Sequence, residues 1–396
     1  MTTYADVARR PEMKAVLLAH AVSLLGTVAA EVALSVLVYR RTASPLLSSL
    51  TLACGFVPQA VSAVLLSGHV DRVRPRRLLV GCDLACAGLV ALMAVPGTPV
   101  AVLLLLATAV GLVTPAFTGS RAALLAGSLD APAFVAARSL LRVLAQGALM
   151  FGFAVGGLAL AAVGPQTLLV ADAASFVASA ALLRWGTGDH PARATAARRP
   201  GGLRALGRVL REPALRRPLL LTWVPAALYC TVDAMATPYA HGRGTDVGML
   251  LAAAAAGTVL AEWLGIRADL ARRPHLLLPV ALVTGVALLG YAAHPAVAVA
   301  AGLNLVGALG GAIGQWVDGS LIDELDEAVR GRLFALQGGL LMAVQGAGIA
   351  VAGAAAELVA PHHVLAVAGA LSLLAAYVLL RDVRPAAAPE PSGAGA

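Results

Sequence analysis

Long apolar runs, broken by short clusters of arginine, proline and glycine, recur from about residue 14 to about residue 381. A spanning helix needs about 20 apolar residues. Reading each run between its breakers predicts twelve helices, at roughly 14–38, 46–67, 78–96, 99–118, 134–163, 166–184, 217–238, 247–266, 276–293, 296–316, 336–358 and 362–381. The fold class expected is an all-α membrane protein of twelve transmembrane helices in two pseudo-symmetric six-helix bundles. The divisions are 1–184, a first six-helix bundle; 185–216, a linker; 217–384, a second six-helix bundle; and 385–396, a tail rich in Ala, Pro, Gly and Ser that is expected to be disordered. The linker is rich in Arg, Ala and Pro, and its second part reads as an amphipathic helix on the inner leaflet. A basic patch for a protein partner is the alternative reading of that segment.

Composition agrees with the pattern. Of 396 residues 59% are hydrophobic and 13% charged, about half the charged share of soluble domains. Low hydrophobicity, which extended disorder requires, is absent. The net charge of +8 would suggest nucleic acid in a soluble chain. Here no aromatic residues interleave with the arginines to stack bases, and 26 of the 29 Lys and Arg fall in segments on one side of the map, with only Arg40, Arg41 and Arg243 outside. The positive-inside rule then places both termini in the cytoplasm and the chain, multi-pass, in the cell membrane. The first run is too long for a signal-peptide core and is expected to be retained. Cys54, Cys82, Cys86 and Cys230 lie inside apolar runs and read as packing residues, with no disulfide framework and no metal site. No phosphate loop occurs, and the only lysine is Lys14.

Four anchors repeat in order at nearly constant offset: Glu31 with Asp233, Asp71 with Asp269, Gly119-Ser120 with Gly319-Ser320, and Gln146-Gly147-Ala148 with Gln345-Gly346-Ala347. Such an internal repeat predicts two related halves around a central cavity.

Ser67-Gly68-His69-Val70-Asp71-Arg72-Val73-Arg74-Pro75-Arg76-Arg77, between spans 2 and 3, resembles the signature loop of the major facilitator superfamily. Ser67 stands where the first glycine is usual, and Arg74 replaces a middle one. A weaker copy, Gly265, Asp269, Arg272 and Arg273, follows span 8. Tyr39 to Pro45, Val170 to Phe176 and Arg330 to Phe334 are similar to the branch of exporters related to the enterobactin exporter. Gly152-Phe153-Ala154-Val155-Gly156-Gly157 keeps the glycines of an antiporter signature in span 5 but lacks its proline. The resemblance implies that spans 1, 4, 7 and 10 line the cavity and that Asp71, Arg72, Arg76, Arg77 and Asp269 form a cytoplasmic latch of the outward-open state.

An acid at mid-bilayer costs about 2.5–3.5 kcal/mol on insertion scales, so each needs a reason. Glu31 in span 1 and Asp233 in span 7 are the expected proton-coupling or substrate-binding residues; a packing hydrogen bond is the plainer alternative. His20, Gln146, Gln345 and Trp223 are candidates for the cavity wall. Asp83 and Glu262 read as local ion pairs with loop arginines, and Asp172 as a helix-packing contact. No arginine is expected deep in a cavity helix. The function expected is proton-coupled efflux of an amphipathic, hydrophobic or cationic small molecule by a monomer in the lipid bilayer, with no cofactor beyond the proton. A proton-coupled importer of a neutral nutrient is the alternative. A membrane enzyme is disfavoured because His20 and Glu31 stand about 16 Å apart along one helix.

Overall fold

The computed structural model describes residues 9–70, 73–129, 131–189, 213–270, 273–317 and 327–381. Six of its helices open on a proline, whose fixed φ and missing N–H suit the first helical position. These are α1 (Pro11–Thr42), α2 (Pro45–Val70), α3 (Pro75–Met93), α6 (Pro165–Gly186), α7 (Pro213–Tyr229) and α13 (Pro361–Leu380). The others are α4 (Val100–Ser128), α5 (Ala131–Val163), α8 (Thr231–Tyr239), α9 (Gly244–Arg267), α10 (Leu277–Leu289), α11 (Val297–Ala308) and α12 (Glu327–Ala355). Short 3-10 turns extend α10 on both sides and continue α11 through Ala312.

Among the described residues, ten helical stretches are long and apolar enough to cross a membrane. The expected spans 78–96 and 276–293 correspond to α3, which carries Arg76, Arg77 and Asp83, and to the shorter α10 with its turns. The single span expected at 217–238 is two helices, α7 and α8, joined at Cys230. α7 already begins at Pro213, so the last residues of the expected linker are helical; residues 190–212, and with them most of that linker, lie outside the described residues, as does the tail 385–396.

The packing pairs are repeated between halves. In the first half α1 lies on α5 and α6, α3 on α4 and α6, and α2 on α4; in the second, α7 lies on α12 and α13, α10 on α11 and α13, and α9 on α11. Across the halves α2 packs on α12 and α5 on α9, two contacts that a two-fold axis would interchange. Glycine makes the cross-half approaches possible. A Cβ on Gly157 of α5 would lie 2.6 Å from both the Gly244 carbonyl oxygen and the Gly248 Cα of α9. Gly353 of α12 sits equally close to Ser49 of α2. Apolar side chains such as Leu105, Phe151 and Val367 point outward, exposed, as suits a chain whose surrounding solvent is hydrocarbon.

At the face where α1 ends, here the far face, the halves close on each other. Ser35 of α1 and Thr237 of α8 are hydrogen-bonded at 2.6 Å, and the Arg40 guanidinium donates twice to the Gly242 carbonyl, at 2.9 and 3.1 Å. Both pairs are separated by 202 residues, the offset that relates Glu31 to Asp233. Ser49 of α2 donates to the Ala234 carbonyl of α8. Glu357, after α12, accepts hydrogen bonds from Ser44 Oγ (2.5 Å) and from the Leu46 N–H (3.0 Å) at the start of α2.

Candidate functional site

Glu31 lies four residues before Ser35 on α1, and Asp233 four residues before Thr237 on α8. Positions i and i+4 share a helix face one turn apart, about 6 Å along the axis. The Ser35–Thr237 bond therefore carries the two acids one turn beneath the far-face closure, on the helix faces that meet. Glu31 is reached by solvent at mid-helix, although its neighbours Ala30, Val32 and Ala33 are buried, and Asp233 is half-buried. The two carboxyls interact electrostatically. In low-dielectric surroundings two ionised acids side by side repel, and a proton on either one relieves the repulsion.

The α7–α8 junction completes the group. The Cys230 thiol interacts with both Asp233 and Gln345 of α12, so three of the residues expected to act, Glu31, Asp233 and Gln345, lie in one neighbourhood. Gln146, the repeat partner of Gln345, is half-buried on α5.

Two expected wall residues go elsewhere. Trp223 is buried in an apolar cluster of the second half with Leu219, Leu221, Leu277, Ala281 and Ile313; it is a core residue rather than part of a cavity, because its side chain turns into the packing of α7 on α10. His20 is half-buried inside the first half, beside Arg121 of α4. Arg121 corrects a further expectation. α4 runs on past residue 118 to Ser128, so this arginine is inside a helix, half-buried and within electrostatic reach of Asp83 on α3. Asp83 is thereby buried in the bundle, 1% exposed, and accepts a hydrogen bond from Ser179 of α6 rather than pairing with a loop arginine.

Of the expected latch, Asp71 and Arg72 lie outside the described residues. Arg76 donates to the Thr187 carbonyl at the end of α6, in its own half, where the exposed carbonyls of a helix C-terminus attract cations. Arg74 pairs with Asp189, Arg77 is exposed, and Asp269 follows α9 with a left-handed φ of 49°. Sequence reading passed over Ser35, Thr237, Glu357 and Arg121. Only the offset of 202 residues, followed beyond Glu31 to Ser35, could have pointed to the hydroxyl pair.

No protein-family profile matches the chain, and no curated protein matches it. Solved structures do. The nucleoside transporter NupG superposes with a TM-score of 0.74 at 12% identity, covering 95% of this chain and all of that one. A peptide transporter, POT, in complex with sulfate gives 0.73 at 12% identity, with 94% of each chain covered. A bacterial homologue of the iron transporter ferroportin in its inward-facing state gives 0.66 at 15%, covering 93% of this chain and 98% of that one. All are transporters of the major facilitator type, and none is described as an enzyme. With its helix pairing and cross-half contacts, the chain is a multi-pass membrane protein with the major facilitator fold.

Proposed function

We propose that this protein is a proton-coupled secondary transporter that exports amphipathic, neutral or cationic small molecules by alternating access. In this reading twelve spans form two six-helix halves in the cell membrane, with both termini cytoplasmic. The observation that carries the proposal is the acid pair, Glu31 and Asp233, one turn beneath a closed far face. A carboxylic acid there stays neutral until water, a cation or the facing state changes, which is what a proton carrier requires. The same pair offers a lipophilic cation its counter-charge. Arg121 lies within electrostatic reach of Asp83 inside the first half, which leaves the pocket to the acids and disfavours an anionic substrate. The far-face closure corresponds to an inward-open state, and Arg76 turned to Thr187 in its own half fits a latch that engages only in the opposite state.

The test uses everted membrane vesicles with an imposed pH gradient and a panel of lipophilic cations and neutral amphiphiles, ethidium first. Glu31→Gln and Asp233→Asn are expected each to abolish gradient-driven accumulation while substrate–substrate exchange persists. Accumulation at the wild-type rate in both variants would remove the acids from the mechanism. Counterflow in oriented vesicles decides the direction of transport.

A further inference from the structure

The first half contains a second set of buried polar groups that the acid pair does not use. Asp172, Ser175 and Ser179 stand at i, i+3 and i+7 on α6, and so share one face of the helix. Asp172 is 2% exposed and accepts a hydrogen bond from Ser175 Oγ at 3.2 Å. Ser179 Oγ donates to Asp83 Oδ2 at 2.8 Å, whereas Asp83 Oδ1 is buried without a hydrogen-bond partner among the described residues. Ser120 Oγ, next to Arg121 on α4, is likewise buried without a partner among the described residues. Buried polar groups are nearly always satisfied, so two orphans in one bundle ask for a reason.

The ladder has two ends. At mid-depth, Gly26 of α1 opens the space: a Cβ there would lie 2.6 Å from Asp172 Oδ1 and against Ser175 Oγ. Glu31 follows five residues later on the same helix, within electrostatic reach of Asp172. At the other end Asp83 lies within electrostatic reach of Arg121 of α4, and Arg121 of His20 of α1, all a few turns from the face where α1 begins. Among the described residues, the thiols of Cys82 and Cys86 on α3 also interact electrostatically with these aspartates, Cys82 with Asp83 and Cys86 with both.

We propose that Asp172 is a third proton-binding residue, exchanging with Glu31, and that Ser175, Ser179 and Asp83 continue the path along α6 toward the face where α1 begins. The proposal rests on the reading of Glu31 as a proton carrier. One proton moves per event. The Glu31 O–H bond breaks as a bridging water takes the proton and passes one of its own hydrogens to the Asp172 carboxylate. Asp172 then donates to Ser175, whose hydroxyl turns from its present bond to donate onward. Each serine hydroxyl accepts on a lone pair and passes on its own hydrogen; Asp83 gains the proton and releases it to water. The step from Ser175 to Ser179 covers about 6 Å along the helix, a distance that one bridging water closes. Arg121 keeps its proton throughout and steadies the Asp83 carboxylate. Beyond Glu31 the path lies inside one half, away from the contact between halves.

The experiment is infrared spectroscopy of the full chain in lipid, without substrate, following carboxylic-acid carbonyl bands after a switch to heavy water. Bands are assigned by their loss in Asp172→Asn, Asp83→Asn, Glu31→Gln and Asp233→Asn, and an unchanged amide band certifies the fold of each variant. In a Glu31→Gln background, which removes the pocket route, Ser179→Ala is expected to slow deuterium exchange of the Asp172 band about 100-fold, the scale of a lost positioned proton-transfer group. Ser179→Thr restores the rate. An absent Asp172 acid band, or equal exchange rates with and without Ser179, overturns the relay. Titration of Glu31 and Asp233 is read from their own bands, so a failure of the coupling proposal is told apart from a failure of this one.

Discussion

Trp223 shows how a single side chain reports its surroundings. Its indole Nε1 is buried without a hydrogen-bond partner among the described residues, so no described hydrogen bond is lost when the ring becomes phenyl. Trp223→Phe, which leaves a smaller cavity, is expected to cost less than Trp223→Ala, whose cost is about 3–5 kcal/mol; thermal unfolding in detergent separates the two. A cavity residue would instead tolerate alanine. Glu357 makes an opposite case at the surface. The hydrogen bonds from Ser44 and the Leu46 N–H hold its carboxyl below the ordinary carboxylate range. Its folded value is depressed, so the clamp between halves is complete at neutral pH and is lost as pH falls through that depressed value. Cysteine labelling at Ser49→Cys from the far side is expected to speed up on acidification, and Glu357→Gln to give the faster rate already at neutral pH. An unchanged rate in the variant would show that the clamp does not govern opening.

Helices α5 and α9 meet backbone to backbone where Gly157 faces Gly248. Gly157→Ala is expected to destabilise the protein by about 1–3 kcal/mol, the cost of overpacking a full interface. Gly55→Ala on α2, where a new Cβ meets nothing within 4 Å, is expected to be neutral or to stabilise by up to about 1 kcal/mol through helix propensity. Thermal unfolding of the two variants side by side checks both; equal shifts would mean that the α5–α9 approach is not tight. Sequence reading did well with apolar runs and less well with helix ends. α4 continues ten residues past the expected 118, because hydropathy stops at Arg121 while the helix carries that charge into the bundle beside Asp83. α12 begins at Glu327 rather than 336, because a helix that projects beyond the hydrocarbon loses no hydrogen bonds in water and needs no apolar residues there. Asp172 was legible as a helix-packing contact, but Asp83, read from sequence as a loop ion pair, is buried, and the serine partners of both were missed: the Asp172–Ser175–Ser179 spacing acquires meaning only when α3 and α6 are known to touch.

At the scale of the molecule, the two halves are related by the offset first seen in the sequence, and they touch where equivalent positions come together. A double variant, Ser35→Cys with Thr237→Cys, is expected to form a disulfide on oxidation, since the replaced oxygens stand 2.6 Å apart and side chains that close can reach bonding geometry. With a protease site inserted between residues 198 and 199, the cleaved halves should run as one band until reduced. The oxidised protein should lose vesicle transport of ethidium and regain it with reductant. Separate bands under oxidising conditions would disprove the axial contact.

A residue on a two-fold axis confronts its own image, and whatever stands there must be able both to give and to take a hydrogen. Hydroxyl groups do so at any pH, and Ser35 with Thr237 is such a couple. Carboxyl groups manage it only while one of them retains its acidic hydrogen. Beneath the hydroxyls Glu31 and Asp233 lie within electrostatic reach of each other, and in the proposed reading H⁺ is the missing piece of the seam: supplied, it would let the two lobes lie together; withdrawn, like charges would push them apart.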